Sequence, residues 1–398
     1  MFADTPGPLR EARQDEGDAR PWAVRLDWQD GWMVCWFVPR AEAGGGTQLH
    51  AVDSSRYGHL SRYDVQQAFK MRRVQGYGHQ AFVAAPAWRI ALLYLLQQLL
   101  NAISLGCVYA LLAVGYTLVY GITGVINFAY GPLYTMGAFV LVASWGGWGM
   151  AAGLAGGLVL ALAWAALTGA AAGFGMASWV FRPLGTARSG VALIAAIGLA
   201  IALQEWIRLA QGPRTRYVLV GRDTTWPLLQ GLGFDVVLSK GHVAIGLATL
   251  GIGLLLWWLQ MRTRFGRAQR AIAQDRGMAA LLGIDVDRTV AVTFAVGGAL
   301  AGIAGMFAAA QYGVVTFRMG TLVALKALTA ALLGGIGSLP GAALGGALVA
   351  LVEVLAAAYV ASEWKDVAVF AVLVLVLVFR PRGLLGGRAT AGDARMAP

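Results

Sequence analysis

From about residue 89 onward the chain alternates long apolar runs with short polar connectors. A membrane helix needs ~20 apolar residues to cross ~30 Å of hydrocarbon. Runs of that kind fall near 90–112, 129–146, 151–178, 190–209, 242–261, 289–311 and 365–379. Three more are less regular. Residues 113–126 are short and glycine-interrupted, and 321–338 and 341–358 are the halves of a stretch broken in its middle, "ALTAALLGGIGSLPGAALGGALVALVEVLAAA". The pattern predicts an all-α polytopic membrane protein of about ten transmembrane helices, with a Gly/Pro-broken hairpin, or of about eight if the short pieces are re-entrant.

The first 88 residues do not share this pattern. "MFADTPGPLREARQDEGDARP" is polar and mixed in sign, unlike a secretory signal with its charged start and apolar core. "GWMVCWFVPR" ends at Pro39 after too few apolar residues to span, and "AEAGGGTQLH" reads as a flexible connector. Further on, "SRYDVQQAFKMRRVQ" predicts a short amphipathic helix with Val65, Phe69 and Val74 on one side. Residues 1–88 are therefore expected to be a poorly structured polar extension, or an upstream reading frame attached by a mistaken start. Residues 89–386 form the transmembrane domain, and 387–398 a disordered tail.

Composition agrees with a bilayer as the main solvent. The chain is 58% hydrophobic and 13% charged, against about 45–50% apolar and about 25% charged in a typical soluble domain. Residues 1–88 hold ten basic and ten acidic side chains, whereas the remainder hold 21 and ten. The net charge of +11 reads as membrane topology and not as a nucleic-acid surface, because the later basic residues flank apolar segments. With ten spans, 262–288, 182–188 and the tail after Phe379 share one side and carry six, two and four Arg or Lys residues. The other side carries five between 208 and 241, plus Arg318 and Lys365. The richer side is expected in the cytoplasm, with both termini. Cys35 and Cys107 make no disulfide framework, and the four histidines show no metal-ligand spacing. No cofactor or metal is predicted. No "GxxxxGK[ST]" phosphate loop is present either, so an ATP-driven protein of this kind needs its ATPase on another polypeptide.

Three polar features stand out among the apolar runs. In the loop 262–288, Ala271, Met278, Leu281 and Leu282 sit at spacings that can share one face of a short helix, with Arg267, Arg270, Gln274 and Asp275 elsewhere on it. Gly266 and Gly283 bracket this segment, where they can end a helix and turn the chain. It reads either as a solvated connector or as a docking element for a soluble partner. In the broken hairpin, Gly334, Gly335, Gly337 and Gly341 permit tight turns while Pro340 prevents one continuous helix. Non-helical backbone at membrane depth is tolerated only where protein covers it or it lines a watery cavity, so this segment is expected at the pathway or a packed interface. Lys326 and Glu353 lie on the two arms of the hairpin and are expected to pair. Glu205, beside Trp206 and Arg208, reads as interfacial.

Four strings, "NAISLGCVYALLAVGYTLVYGITGVINFAYG" (101–131), "GRAQRAIAQDRGMAALLGIDVDR" (266–288), "LLGGIGSLPGA" (332–342) and "RPRGLLG" (380–386), occur in this order. Together they resemble the permease subunit of high-affinity branched-chain amino-acid ABC importers over roughly residues 92–386. The resemblance implies a polytopic helical bundle in the bacterial inner membrane, paired with a second related permease as a heterodimer. It also implies cytoplasmic ATP-binding subunits docked on the 262–288 loop, with Gly283 in that surface, and a periplasmic substrate-binding protein. Asn127 and Tyr130 belong to the pathway motif by the same likeness; Tyr130 stands where the family's usual "INFAHG" has His, and keeps a polar handle without charge near neutral pH. Leucine, isoleucine and valine are the implied substrates, with urea or short-chain amides as alternatives. A gradient-driven secondary transporter is the competing class, since broken helices suit it too.

Overall fold

A computed structural model describes residues 22–28, 31–41, 47–54, 87–145, 153–184, 189–218, 225–230, 235–380 and 383–385. They divide into two units. In the first, β1 (Trp22–Trp28), β2 (Gly31–Ala41) and β3 (Thr47–Ser54) form an antiparallel meander in the order β1-β2-β3. β1 and β2 pair from Trp22↔Phe37 to Trp28↔Gly31, and the β2–β3 register shifts between Trp36 and Phe37. Within the extension expected over residues 1–88, these segments are strand. The reason lies in "WAVRLDW", where Trp22, Val24, Leu26 and Trp28 alternate with Ala23, Arg25 and Asp27 at the two-residue period of a strand. The amphipathic helix expected around 61–75 and the tail 387–398 lie outside the described residues.

The second unit is helical. In chain order it contains α1 (Ala87–Thr123), α2 (Tyr130–Ser144), α3 (Gly153–Met176), α4 (Ser189–Gln211), α5 (Lys240–Arg262), α6 (Arg264–Gln274), α7 (Arg276–Leu281), α8 (Val286–Tyr312), α9 (Met319–Gly334), α10 (Leu339–Tyr359) and α11 (Lys365–Phe379). α3 runs on through a π turn, Ala177–Phe181, to Leu184. Between α4 and α5 lie β4 (Arg216–Tyr217), β5 (Thr225–Gln230) and β6 (Asp235–Ser239), of which β5 and β6 pair, while β4 pairs with β7 (Val314–Val315). Six helices are long and apolar enough to cross a membrane: 91–123, 156–184, 190–211, 240–262, 286–312 and 339–359. α2, α9 and α11 are shorter, at 15, 16 and 15 residues.

Close backbone approach builds the core. α8 is buried along most of its length and packs against α2 and α3. Gly137 of α2 and Gly169 and Gly173 of α3 meet α8 at Gly302, Gly298 and Phe294, so tightly that a Cβ on any of the three would collide with the opposing backbone. Small residues are what let membrane helices approach in this way, where dispersion contact replaces the missing hydrophobic drive. Outward surfaces are apolar instead: Trp164, Leu209, Leu247, Trp257 and Trp258 are all exposed, as a bilayer or a membrane partner requires.

The expected division of the first apolar stretch is not met. Residues 90–112 and 113–126 were expected as separate spans, but α1 is one 37-residue helix. Gly106 and Gly115 do not break it; they let Ala347 and Gly297 come close. Among the described residues, α1–α5 and α8–α11 make up the bundle, apart from α6 and α7. Their contacts alternate between two ends. At one end, Gln97 of α1 exchanges hydrogen bonds with the Val237 backbone at 2.9 and 3.2 Å, β4 meets β7, and Thr321 bonds Gln204 at 3.0 Å. At the other, Gln269 of α6 reaches the Leu118 carbonyl, Arg182 meets Asp287, and Leu384 bonds Leu333. The Gln97 end of α1 thus lies opposite the C-terminal end of α11.

Candidate functional site

α9 and α10 form the broken hairpin. Its turn is built locally: Gly335 and Gly337 have φ of 100° and 95°, in the left-handed region that only glycine enters freely. Ser338 caps α10 by accepting from Gly341 N at 3.2 Å, and Pro340 occupies the first turn, where its missing N–H costs nothing. Gly334 and Gly341 bring the two arms into backbone contact. The carbonyls left open at the end of α9 find a partner further along the chain: Leu384 N donates to Leu333 O at 2.9 Å and Leu385 N to Gly334 O at 3.0 Å. Residues 383–385 are thus the cover that irregular backbone requires in a membrane protein. Gly383 has φ +76° and sits against Gly335, where a Cβ would collide with backbone. Gly383→Ala is expected to lower the melting temperature of the purified protein by roughly 2–6 °C, from a strain of about 1–3 kcal/mol; an unchanged melting curve counts against this cover.

A narrow crevice opens beside the turn, lined by Tyr116, Thr117 and Tyr120 of α1, Ile126, Leu328 and Ala331 of α9, and Ile336. The Thr117 hydroxyl is buried without a hydrogen-bond partner. Neither Asn127 nor Tyr130 lines this crevice. Asn127 Oδ1 accepts from Ala129 N at 3.0 Å and so shapes the entry to α2, while its Nδ2 has no partner. Tyr130 is buried in a slot between Gly115 and Gly297, donates to the Gly115 carbonyl at 3.0 Å, and packs on Tyr116 with ring centroids 4.5 Å apart.

The structure brings Lys326 and Glu353 together. Nζ donates to Glu353 Oε1 at 2.7 Å, and the residues are 5% and 8% exposed. Two further residues that the sequence did not single out complete the cluster. Tyr109 of α1 donates to Glu353 Oε2 at 2.6 Å. Asp366 Oδ1, in the first turn of α11, lies 2.5 Å from Lys326 Nζ, an ion pair by distance outside hydrogen-bonding angles. The cluster joins α1, α9, α10 and α11 around one cation and two carboxylates. Glu205 pairs with Arg208 at 2.5 Å on the half-exposed surface of α4, with Trp206 exposed beside it.

The 262–288 loop folds as two helices, not one. Asp275 breaks it: its side chain caps α7 by accepting from Gly277 N at 2.8 Å and Met278 N at 3.0 Å. The expected shared face is therefore lost. Ala271 on α6 is half-buried, while Met278, Leu281 and Leu282 are 58%, 83% and 78% exposed. Gly283, with φ +83°, turns the chain after α7 as expected. Gly266 does not end a helix; it lies in the first turn of α6, packed on the Gln260 backbone. Arg267 is exposed, and the Arg270 guanidinium donates to the Gln260 carbonyl.

Comparison with known proteins gives these features a common setting. The chain is 40% identical over 304 residues to the high-affinity branched-chain amino acid transport system permease protein LivH of Escherichia coli K12, covering 74% of this chain and 96% of LivH. It is 39% identical over 293 residues to the corresponding permease BraD of Pseudomonas aeruginosa, covering 73% of this chain and 95% of BraD. A shorter match, 34% over 149 residues, covers 36% of this chain and 43% of the autoinducer 2 import permease LsrC of Salmonella paratyphi B. Residues 98–377, which hold the crevice, the ion cluster and the two-helix loop, match the model of one family, and the chain belongs to it: the permease component of the branched-chain amino acid transport system.

Proposed function

We propose that this chain is the membrane-spanning subunit of an ATP-driven importer that moves leucine, isoleucine and valine into a bacterial cytoplasm. The family and the likeness to LivH over 96% of its length support the substrate class. The observation that carries the ATP-driven reading is the exposed trio Met278, Leu281 and Leu282, held by capped helices at the end of the bundle rich in Arg. Outside the bilayer, exposed apolar side chains on a rigid support mark a protein interface. The partner proposed there is a cytoplasmic ATP-binding subunit. A second related permease against the apolar flank and a periplasmic substrate-binding protein at the opposite end complete the assembly. Co-expression with these subunits and measurement of ATP-dependent leucine uptake in proteoliposomes tests the reading; gradient-driven uptake by this chain alone overturns it.

The orientation follows the basic residues. The end holding 182–184, 262–288 and Arg380 faces the cytoplasm, as the Arg and Lys distribution favours, and the start of α1 faces outward. In a Cys35→Ser, Cys107→Ser background, cysteine at exposed Ser362 is expected to react with a membrane-impermeant maleimide in intact spheroplasts. Cysteine at Met278 is expected to react only after permeabilisation. The reverse pattern inverts the topology.

A further inference from the structure

Two buried glutamines join the two-helix loop to the helix that lines the crevice. Gln260 closes α5 and Gln269 sits in the middle of α6; they are 8% and 6% exposed. The Gln260 side-chain amide donates to Gln269 Oε1, and Gln269 Nε2 donates to the Leu118 carbonyl of α1 at 3.2 Å. Leu118 follows Thr117, and Tyr116, Thr117 and Tyr120 form the α1 wall of the crevice. The contact is therefore made on the same turn of α1 that faces the open space.

The corner that carries these amides is stiff. Gly266 packs α6 on the α5 backbone, Arg270 donates to the Gln260 carbonyl, and Ile272 is 3% exposed. A push on α7 and α6 from the cytoplasm is thus carried as movement of a block. Where that block meets α1 through polar groups, the directional link is the Gln269 amide. A buried hydrogen bond is costly to leave unmade, so α1 follows the amide in preference to parting from it.

We infer that the Gln260–Gln269 pair is the link by which the docked ATP-binding subunit moves α1 and opens the crevice, with Gln269 a positioning residue for transport. This rests on the docking reading proposed above. Proximity alone does not make two sites coupled, so the test reads coupling itself.

The variant Gln260→Met/Gln269→Met removes both amides while keeping length and volume, an exchange that leaves stability near neutral when both partners go together. The complete importer is reconstituted with its ATP-binding subunits and substrate-binding protein, and leucine uptake and ATP hydrolysis are measured on the same vesicles. The ratio of leucine imported to ATP hydrolysed is expected to fall about tenfold, within the roughly 5–150-fold span of coupling between linked sites, with hydrolysis held within about twofold. Because the ratio is taken per assembled complex, it is read even from a poorly assembling variant. An unchanged ratio, whether both activities persist or fall together, overturns the link and reduces the pair to packing. A wild-type complex without ATP-driven uptake overturns the import reading and the link with it. A wild-type complex that imports while the double variant keeps its ratio leaves the import reading intact and removes the link alone.

Discussion

Lys326→Met is expected to lower the melting temperature of the purified protein by roughly 5–10 °C and to reduce its folded yield, because breaking a buried ion pair by removing one partner costs about 3–5 kcal/mol. Lys326 Nζ lies between Glu353 Oε1 at 2.7 Å and Asp366 Oδ1 at 2.5 Å, so its loss leaves two carboxylates facing each other without a cation. Glu353 is the more costly of the two to strand. Its side chain is 10% exposed against 36% for Asp366, which also gains from the N-terminal dipole of α11. Adding Glu353→Gln is therefore expected to recover more than half of the loss, since the amide removes the charge yet still accepts from the Tyr109 hydroxyl. Asp366→Asn alone leaves a neutral pair and is expected to be nearly silent in stability. Differential scanning fluorimetry on the single and double variants checks this: additive losses for Lys326 and Glu353 show that the two do not interact.

The pair was legible because charges inside apolar runs are few, and each demands a partner in the low-dielectric core. Asp366 was not, since it sits at the start of an apolar helix, where an acid looks interfacial; only the fold shows how far the Lys326 arm reaches. Glycine misled in one place and informed in another. Gly335 and Gly337 do turn the chain, with positive φ, but Gly115 sits inside a continuous helix and serves packing. Sequence carries the same letter for both uses, and the apolar length required of a span then split α1 in two. In the loop, the spacing of Ala271, Met278 and Leu282 suits one helix, yet Asp275 competes as a cap and redirects the chain. Gln269 gave no signal at all, because a glutamine between arginines in a polar loop looks solvated; its burial arises from the corner made by Gly266.

Replacing Leu281 and Leu282 together by Asp is expected to abolish co-purification of the ATP-binding subunit while leaving the permease folded. Their exposures of 83% and 78% mean that neither contributes to this chain's own core, so little folding energy is lost. In a docked complex each buried leucine contributes about 1.5–3 kcal/mol, and two new carboxylates add a desolvation cost at the same surface. The combined loss corresponds to an affinity at least about a hundredfold weaker. ATP-dependent leucine uptake then falls to background, and the melting temperature of the isolated permease stays within about 2 °C of the parent, as for surface substitutions remote from packing. Arg270→Glu is a necessary contrast. Arg270 donates to the Gln260 carbonyl, so its reversal disturbs the α5–α6 corner as well as the surface, and its loss of uptake comes with a lower melting temperature. Retention of the ATP-binding subunit at parental levels by the double Asp variant moves the docking face away from α7, and leaves its three exposed apolar side chains without the role proposed for them.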